Sequence, residues 1–195
     1  MNAVQEERMK GYFLTAAKEL IRGEGLDVVS ARNVAERAGY SYATLYNYFK
    51  DIRELVFSCV EDFMKECSEF VIKDLGKATG ENALMKITSN YVKFFIQYPG
   101  IFDLFYQEKV NQIATGNSNV NSIDSFFNSL TDQYWQQIKV LCKHNEHSVS
   151  LAQEYHKLAI NGLLMLYLNR RKDIGFKEFM KNVEELTSFS VNSFK

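Results

Sequence analysis

Apolar residues recur three and four positions apart along nearly the whole chain, the spacing of one face of an α-helix. Met9, Phe13, Ala16, Ala17, Leu20 and Ile21 make the first such stripe, closed by Gly23, Glu24 and Gly25. Val34, Ala35 and Ala38 give a short second helix, with Ser30 placed as an N-cap whose hydroxyl accepts from free backbone N–H groups. Gly39 interrupts the pattern, as a residue free to adopt a left-handed conformation does. A third short helix follows over 41–49, with Leu45 and Phe49 four apart on its inner side. Short helices of this kind, the last two joined by a tight glycine turn, form a helix-turn-helix.

After Asp51 the helices lengthen. The pattern predicts helices over 52–75, over 81–98 with Pro99 as its stop, and over 101–113. The polar run TGNSNVNS, 115–122, reads as a loop. Helices over 123–143, 149–171 and 175–193 complete the chain. Strand-like alternation is absent, and one proline and ten glycines leave few breaks. The fold class is therefore all-α, with an N-terminal three-helix domain over 1–51 and a larger helical domain over 52–195.

Hydrophobic residues make up 46 % and aromatics 14 % of the 195 residues, enough for a sizeable core and unlike a disordered chain. No apolar run approaches the roughly 20 residues a membrane helix needs. The first residues, MNAVQEERMK, lack the apolar core of a secretory signal. A cytoplasmic protein without membrane association is expected. Cys59, Cys67 and Cys142 are odd in number and form no C-x-x-C pair, so they read as small buried hydrophobes. Net charge is −1, and a segment with Arg32, Arg37 and Lys50 against Glu36 alone is only a faint basic footprint.

Chemistry enters with "AERAGYSYATLYNYFK", residues 35–50, whose stretch from Tyr40 to Phe49 carries four tyrosines and no charge. If 41–49 is a helix with Leu45 and Phe49 inward, then Tyr42, Ala43, Tyr46 and Asn47 face outward or along the edge. These tyrosines either pack on the following long helix or stand exposed, and exposed aromatics with hydroxyls suit a partner. In a helix-turn-helix the second helix enters the DNA major groove. Tyrosine, serine, threonine and asparagine there hydrogen-bond phosphates and base edges, and Ala43 permits close approach to a thymine methyl. Arg32, Lys50 and Arg53 would meet phosphate charge.

The run "FLTAAKELIRGEGLDVVSARNVAERAGYSYATLYNYFKDIREL" resembles the N-terminal DNA-binding domain of the TetR family of transcriptional regulators. The matching features are AA-x-x-L with its terminal glycine, R-x-V-A-x-x-A-G, S-x-x-T-L-Y-x-Y-F-K and the following E-L, over roughly residues 9–56. The resemblance implies DNA contacts at Ser30 and Arg32, at Ser41, Tyr42, Ala43 and Thr44 opening the recognition helix, and at Tyr46. It also implies backbone contacts at Asn47, Tyr48 and Lys50. Two positions depart from the family pattern: Ile52 stands where a lysine is usual, and Tyr42 where a lysine or small polar residue is common. Both remove positive charge and predict a weaker salt dependence.

For residues 52–195 the resemblance implies an effector-binding and dimerisation domain. Eleven aromatics fall between Tyr91 and Trp135. Most build a core; the resemblance implies a cavity among these helices, with Tyr91, Phe94, Phe95, Tyr98, Phe102, Phe105, Tyr106, Phe127 and Trp135 as candidates to line it. Walls of this kind suit an apolar or aromatic small molecule. The run LAINGLLMLYL, 158–168, is apolar nearly all round, and Phe176, Phe179, Met180, Val183 and Leu186 form a further stripe. The resemblance implies a four-helix homodimer interface using Leu158, Gly162, Leu166, Phe179, Val183 and Leu186. Such a dimer presents two recognition helices to a palindromic operator in double-stranded DNA.

No nucleophile–base arrangement, phosphate-binding glycine loop or cofactor motif appears, so neither catalytic residues nor a cofactor is expected. His144 and His147 in KHNEH read as a solvated loop with no metal. The expected function is a ligand-responsive, DNA-binding repressor released by a small-molecule effector. The alternative is a helical small-molecule-binding or scaffold protein whose head no longer binds DNA.

Overall fold

The computed structural model describes residues 3–107, 118–142, 146–171 and 173–192. Every regular element among them is an α-helix: α1 (Ala3–Glu24), α2 (Ala31–Ala38), α3 (Tyr42–Leu45), α4 (Ile52–Ser58), α5 (Val60–Ile72), α6 (Gly80–Gln97), α7 (Pro99–Tyr106), α8 (Ser118–Cys142), α9 (Glu146–Leu168) and α10 (Phe176–Asn192). No helix among the described residues is long and apolar enough to cross a membrane. The chain folds into two compact units, Met1–Lys65 with Gln97–Ser122, and Glu66–Ile96 with Ile123–Lys195.

In the first unit, α1 buries the stripe the spacing predicts: Phe13, Ala16, Ala17, Leu20 and Ile21. Val34 and Ala35 of α2, Leu45 of α3, Phe49, and Leu55, Val56 and Phe57 of α4 complete this core. Pro99 starts α7, where its missing N–H costs nothing. Gly100 follows it against α1, so close that a Cβ there would stand 2.2 Å from the Ile21 carbonyl oxygen. Asp103 on the same helix has its carboxyl pushed up by burial and by Asp27, against an opposing hydrogen bond from Gln107.

The second unit is built around rings. Tyr91 meets Phe95 at 4.9 Å and Phe127 at 4.6 Å between ring centroids, both edge to face. Phe94 meets Phe95 at 5.3 Å. The Tyr91 hydroxyl donates to Asn161 Oδ1 across 3.0 Å, so its polar end is matched. Lys157 is almost wholly buried yet paired with Asp124 and Glu154. Burial alone would lower its pKa; the bonds to Glu154 and Asp124 outweigh that and raise it. Helix α10 lies on α9, where the rings of Tyr167 and Phe179 stack at 4.1 Å.

Some boundaries differ from those the sequence suggests. The helix expected over 52–75 is two, because the Cys59 N–H turns back to the Val56 carbonyl at 3.1 Å and ends α4. Of the loop expected over 115–122, residues from Ser118 onward are helical; their asparagines and serines carry no apolar period, and α8 continues through them. Residues 115–117, the end of the helix expected over 101–113, and His144 lie outside the described residues. Cys59 and Cys67 are buried free thiols. Burial pushes Cys59 up to about 12 and Cys67 higher still, so both remain inert thiols. The side chain of Cys142 lies outside the described residues.

Candidate nucleic-acid interface

The turn between α2 and α3 is fixed by caps. Ser30 Oγ accepts the Asn33 N–H at 3.1 Å, as expected of an N-cap. Gly39 closes α2 in the left-handed region at φ 78°, and its N–H and that of Tyr40 return to the Glu36 and Ala35 carbonyls. Ser41 then caps α3: its Oγ accepts the Thr44 N–H at 3.2 Å and lies 2.9 Å from the Thr44 hydroxyl. Asp51 caps α4 through the Glu54 N–H, and the Glu54 carboxylate accepts from the Lys50 N–H. Each element thus begins at a residue whose side chain satisfies an otherwise free amide.

The tyrosines separate into two pairs. Tyr40 and Tyr48 lean on Phe13 of α1, at 5.6 and 6.1 Å between centroids, and Tyr40 also stacks on Tyr12. Tyr42 and Tyr46 are 57 % and 49 % exposed, and Tyr40, although packed on Phe13, still 38 %. Helix α3 is regular only to Leu45; beyond it, Asn47 and Tyr48 donate three residues back, to Thr44 and Leu45, which tightens the last turn. That turn keeps Leu45 and Phe49 buried together and leaves Ser41, Tyr42, Ala43, Tyr46 and Asn47 outside. Thr44 and Tyr48 are half-buried.

Charge follows the same division. Arg37 is spent within the unit, in ion pairs with Glu24 and Glu19. The side chains of Arg32 and Lys50 are exposed and form no ion pair among the described residues. Ile52 is half-buried at the first position of α4, and Arg53 beside it is exposed. Along the chain, uncharged hydroxyl and amide groups thus fall between exposed cations, groups able to bond phosphates and base edges.

The aromatics proposed for an effector cavity fall in both units. Tyr91, Phe94, Phe95, Phe127 and Trp135 are buried in the second. Phe102 and Phe105 are buried in the first, with Tyr98 and Tyr106 half-buried beside them. Tyr98 lies under the Arg22 guanidinium, 5.8 Å from ring centroid to the charge. None of these rings lines the open cleft of about 450 Å³ bounded by Thr79, Gly80, Gln133, Gln136, Gln137 and Val140.

Of the residues expected at a dimer face, Leu158 and Leu166 are exposed and Gly162 and Leu186 half-buried, whereas Phe179 and Val183 lie wholly inside the second unit. The spacing of apolar residues gives no notice of the buried polar groups. Thr88 and His156 have no exposed surface and share a 3.1 Å hydrogen bond. A signal for one of them exists in the chain: His156 lies four residues from both Ala152 and Ile160, on the inner stripe of α9. No cluster of metal-ligating side chains occurs among the described residues.

Residues 13–59 match the model of the bacterial regulatory proteins, tetR family. No curated protein matches the chain by sequence. Among solved structures, a tetR-family transcriptional regulator from Streptomyces coelicolor superposes with a TM-score of 0.67 at 16 % identity, over 97 % of this chain and 80 % of that one. RolR in complex with resorcinol gives 0.71 at 15 % identity, over 97 % and 94 %. FadR from Bacillus subtilis in complex with stearoyl-CoA gives 0.66 at 18 % identity, over 95 % and 99 %. The chain thus has the fold of these transcriptional regulators.

Proposed function

We propose that this chain, whose N-terminal segment is that of the tetR family and whose fold is that of the family's regulators, is a ligand-responsive repressor of transcription acting in the cytoplasm. The observation that carries the reading is the sorting of the head's tyrosines. Tyr40 and Tyr48 brace the turn against Phe13, while Tyr42 and Tyr46 stand free beside Ala43 and Asn47. Two amphipathic rings left outside, beside groups that can hydrogen-bond, suit contact with a partner.

Ser41, Tyr42, Ala43, Thr44 and Tyr46 then read the major groove, and Asn47, Tyr48 and Lys50 hold the backbone. Ser30 takes a phosphate: its oxygen accepts the Asn33 amide, which leaves the hydroxyl proton to donate. Arg32 supplies charge at the same edge. The three helix caps matter because they fix these groups before DNA arrives.

Two copies join through α9 and α10. Leu151, Tyr155, Leu158, Met165 and Leu166 are exposed and recur three and four apart along α9, with Gly162 among them. A monomer gains nothing from such a stripe, whereas a second copy covers it. Leu186 extends the face, and Phe179 and Val183 hold α10 in place behind it. The paired heads meet a palindromic operator with half-sites about one helical turn apart.

A small molecule controls the heads by linkage. It binds one conformation of the second unit better than another, and the operator does the same. A tenfold change in operator affinity needs only about 1.4 kcal/mol of differential binding. Similar folds crystallised with resorcinol and with stearoyl-CoA support a bound ligand here. The test is fluorescence anisotropy of the protein on its own promoter DNA and on random duplex. Tighter binding to the promoter supports the reading. Equal affinity for both favours a helical ligand-binding protein without DNA function, to which the uncharged recognition helix and Ile52 would point.

A further inference from the structure

Trp135 of α8 and His156 of α9 are both enclosed in the second unit, 1 % and 0 % exposed. Their rings meet at 5.7 Å between centroids, at 66°. Trp135 Nε1 and His156 Nδ1 are both buried without a hydrogen-bond partner among the described residues. Nearly every buried polar atom in a folded protein is partnered, so two orphans on touching rings are a pointed exception. Phenylalanine at either position would keep a ring and remove the unmatched nitrogen, at 156 at the cost of the Thr88 hydroxyl's partner.

The other imidazole nitrogen defines what is missing. Nε2 shares a proton with the Thr88 hydroxyl. If Thr88 donates, Nδ1 carries the ring proton and needs an acceptor; if Nε2 donates, Nδ1 needs a donor. Trp135 always needs an acceptor. A hydroxyl group satisfies either arrangement, since its oxygen accepts from tryptophan while it accepts from or donates to histidine. A hydrocarbon satisfies neither ring.

Charge is unwelcome at this place. Lys157, the next residue along α9, is committed to Asp124 and Glu154, and a carboxylate here would lack a counter-charge. Burial holds His156 neutral, with its pKa lowered to about 4. The neighbouring walls are aromatic: Phe127 lies 5.6 Å from the His156 ring, and Tyr91 and Phe95 continue from it edge to face. Rings so arranged form an apolar wall against which a flat body can pack edge to face or stacked.

We propose that the effector is an uncharged small molecule with a flat apolar body and a hydroxyl group, the hydroxyl held between Trp135 and His156. The inference deepens the ligand-responsive reading and rests on it. Because the cluster is closed from solvent, occupancy selects a state in which α6, α8 and α9 stand further apart.

Phenol, toluene and benzoate are close in size and differ in the group at issue, and Trp135 is the chain's single tryptophan. Phenol should change its fluorescence saturably and, by calorimetry, bind at least about tenfold more tightly than toluene or benzoate. Trp135→Phe removes the N–H and keeps a ring; His156→Phe does the same for imidazole. Each should bring phenol down to the toluene value in a protein whose circular dichroism melt remains cooperative. If His156→Phe does not fold, Trp135→Phe alone decides. Equal binding of phenol and toluene, undiminished phenol binding in the folded variants, or no saturable binding at all overturns the proposal. Phenol binding through these rings without any change in operator affinity leaves the site standing and removes ligand control. An effector that releases operator equally from wild type and both variants does the reverse.

Discussion

Gly100 and Ile21 approach so closely that a Cβ on the glycine would come within 2.2 Å of the Ile21 carbonyl oxygen and 2.9 Å of the Gly25 Cα. Both obstacles are backbone and neither can swing aside. The first turn of α7 is therefore seated on the end of α1, the helix that also carries Phe13 under Tyr40 and Tyr48.

Gly100→Ala should destabilise the first unit by about 1–3 kcal/mol, since one methyl forces the two helices apart. Gly23→Ala is the matched control: nothing lies within 4 Å of its added Cβ, and alanine suits a helix better. Thermal melts should show a lower midpoint for the first and an unchanged or higher one for the second. Equal melts would mean that α7 is not seated there.

If the proposed function holds, Tyr46→Phe and Arg32→Ala should each weaken operator binding by about 1–3 kcal/mol without changing the protein's state of association. Arg32→Ala should also flatten the dependence of affinity on salt, lowering the slope by about one for each phosphate the guanidinium neutralises. Tyr40→Phe, with its ring packed on Phe13, should bind as wild type. Anisotropy titrations at several salt concentrations measure both quantities. Undiminished affinity in Tyr46→Phe and Arg32→Ala would put the DNA-binding groups elsewhere.

Stability should fall with pH through His156. Its pKa is about 4 in place against 6.5 for the free side chain, so the unfolded chain takes up the proton first as pH drops. Stability from this group is complete above the unfolded value and is lost from there down to the folded one, roughly 3 kcal/mol in all. His156→Gln should be less pH-dependent across that window. Parallel denaturation curves of the two proteins at each pH would contradict the assignment.

Leu158→Glu with Leu166→Glu should yield a folded monomer, since both side chains are exposed on α9. Phe179→Ala should instead unfold the second unit, at about 3–5 kcal/mol, because the ring is wholly buried and stacked on Tyr167. Sedimentation of the double variant and a melt of Phe179→Ala distinguish the two roles. A dimeric double variant would move the interface to another face.

Where local chemistry sets the structure, it could be read from the sequence. Ser30 acts through its hydroxyl on a neighbouring amide, Gly39 through its own backbone, and the Phe13, Leu20 and Ile21 stripe through helical spacing, so all three are legible. The break at Cys59 was not, because apolar residues run on both sides of it. Among the tyrosines, Tyr40 and Tyr42 look alike in the chain; which one rests on Phe13 depends on how α1 crosses the turn. The pairing of His156 with Thr88 joins residues 68 apart in sequence, and only packing brings them together. Phe179 and Leu158 both read as stripe residues, yet one faces inward and the other out.

If the head reads DNA as proposed, the seat of α7 on α1 also bears on exchanging that specificity with another regulator of this fold. Residues 1–65 look like a transferable cassette, but the surface formed by Ile21 and Gly25 is completed by a helix that begins only at Pro99. A chimera carrying the head alone would set a donor α1 against a host α7 shaped for another backbone. Transplanting residues 97–107 along with it should restore the fit.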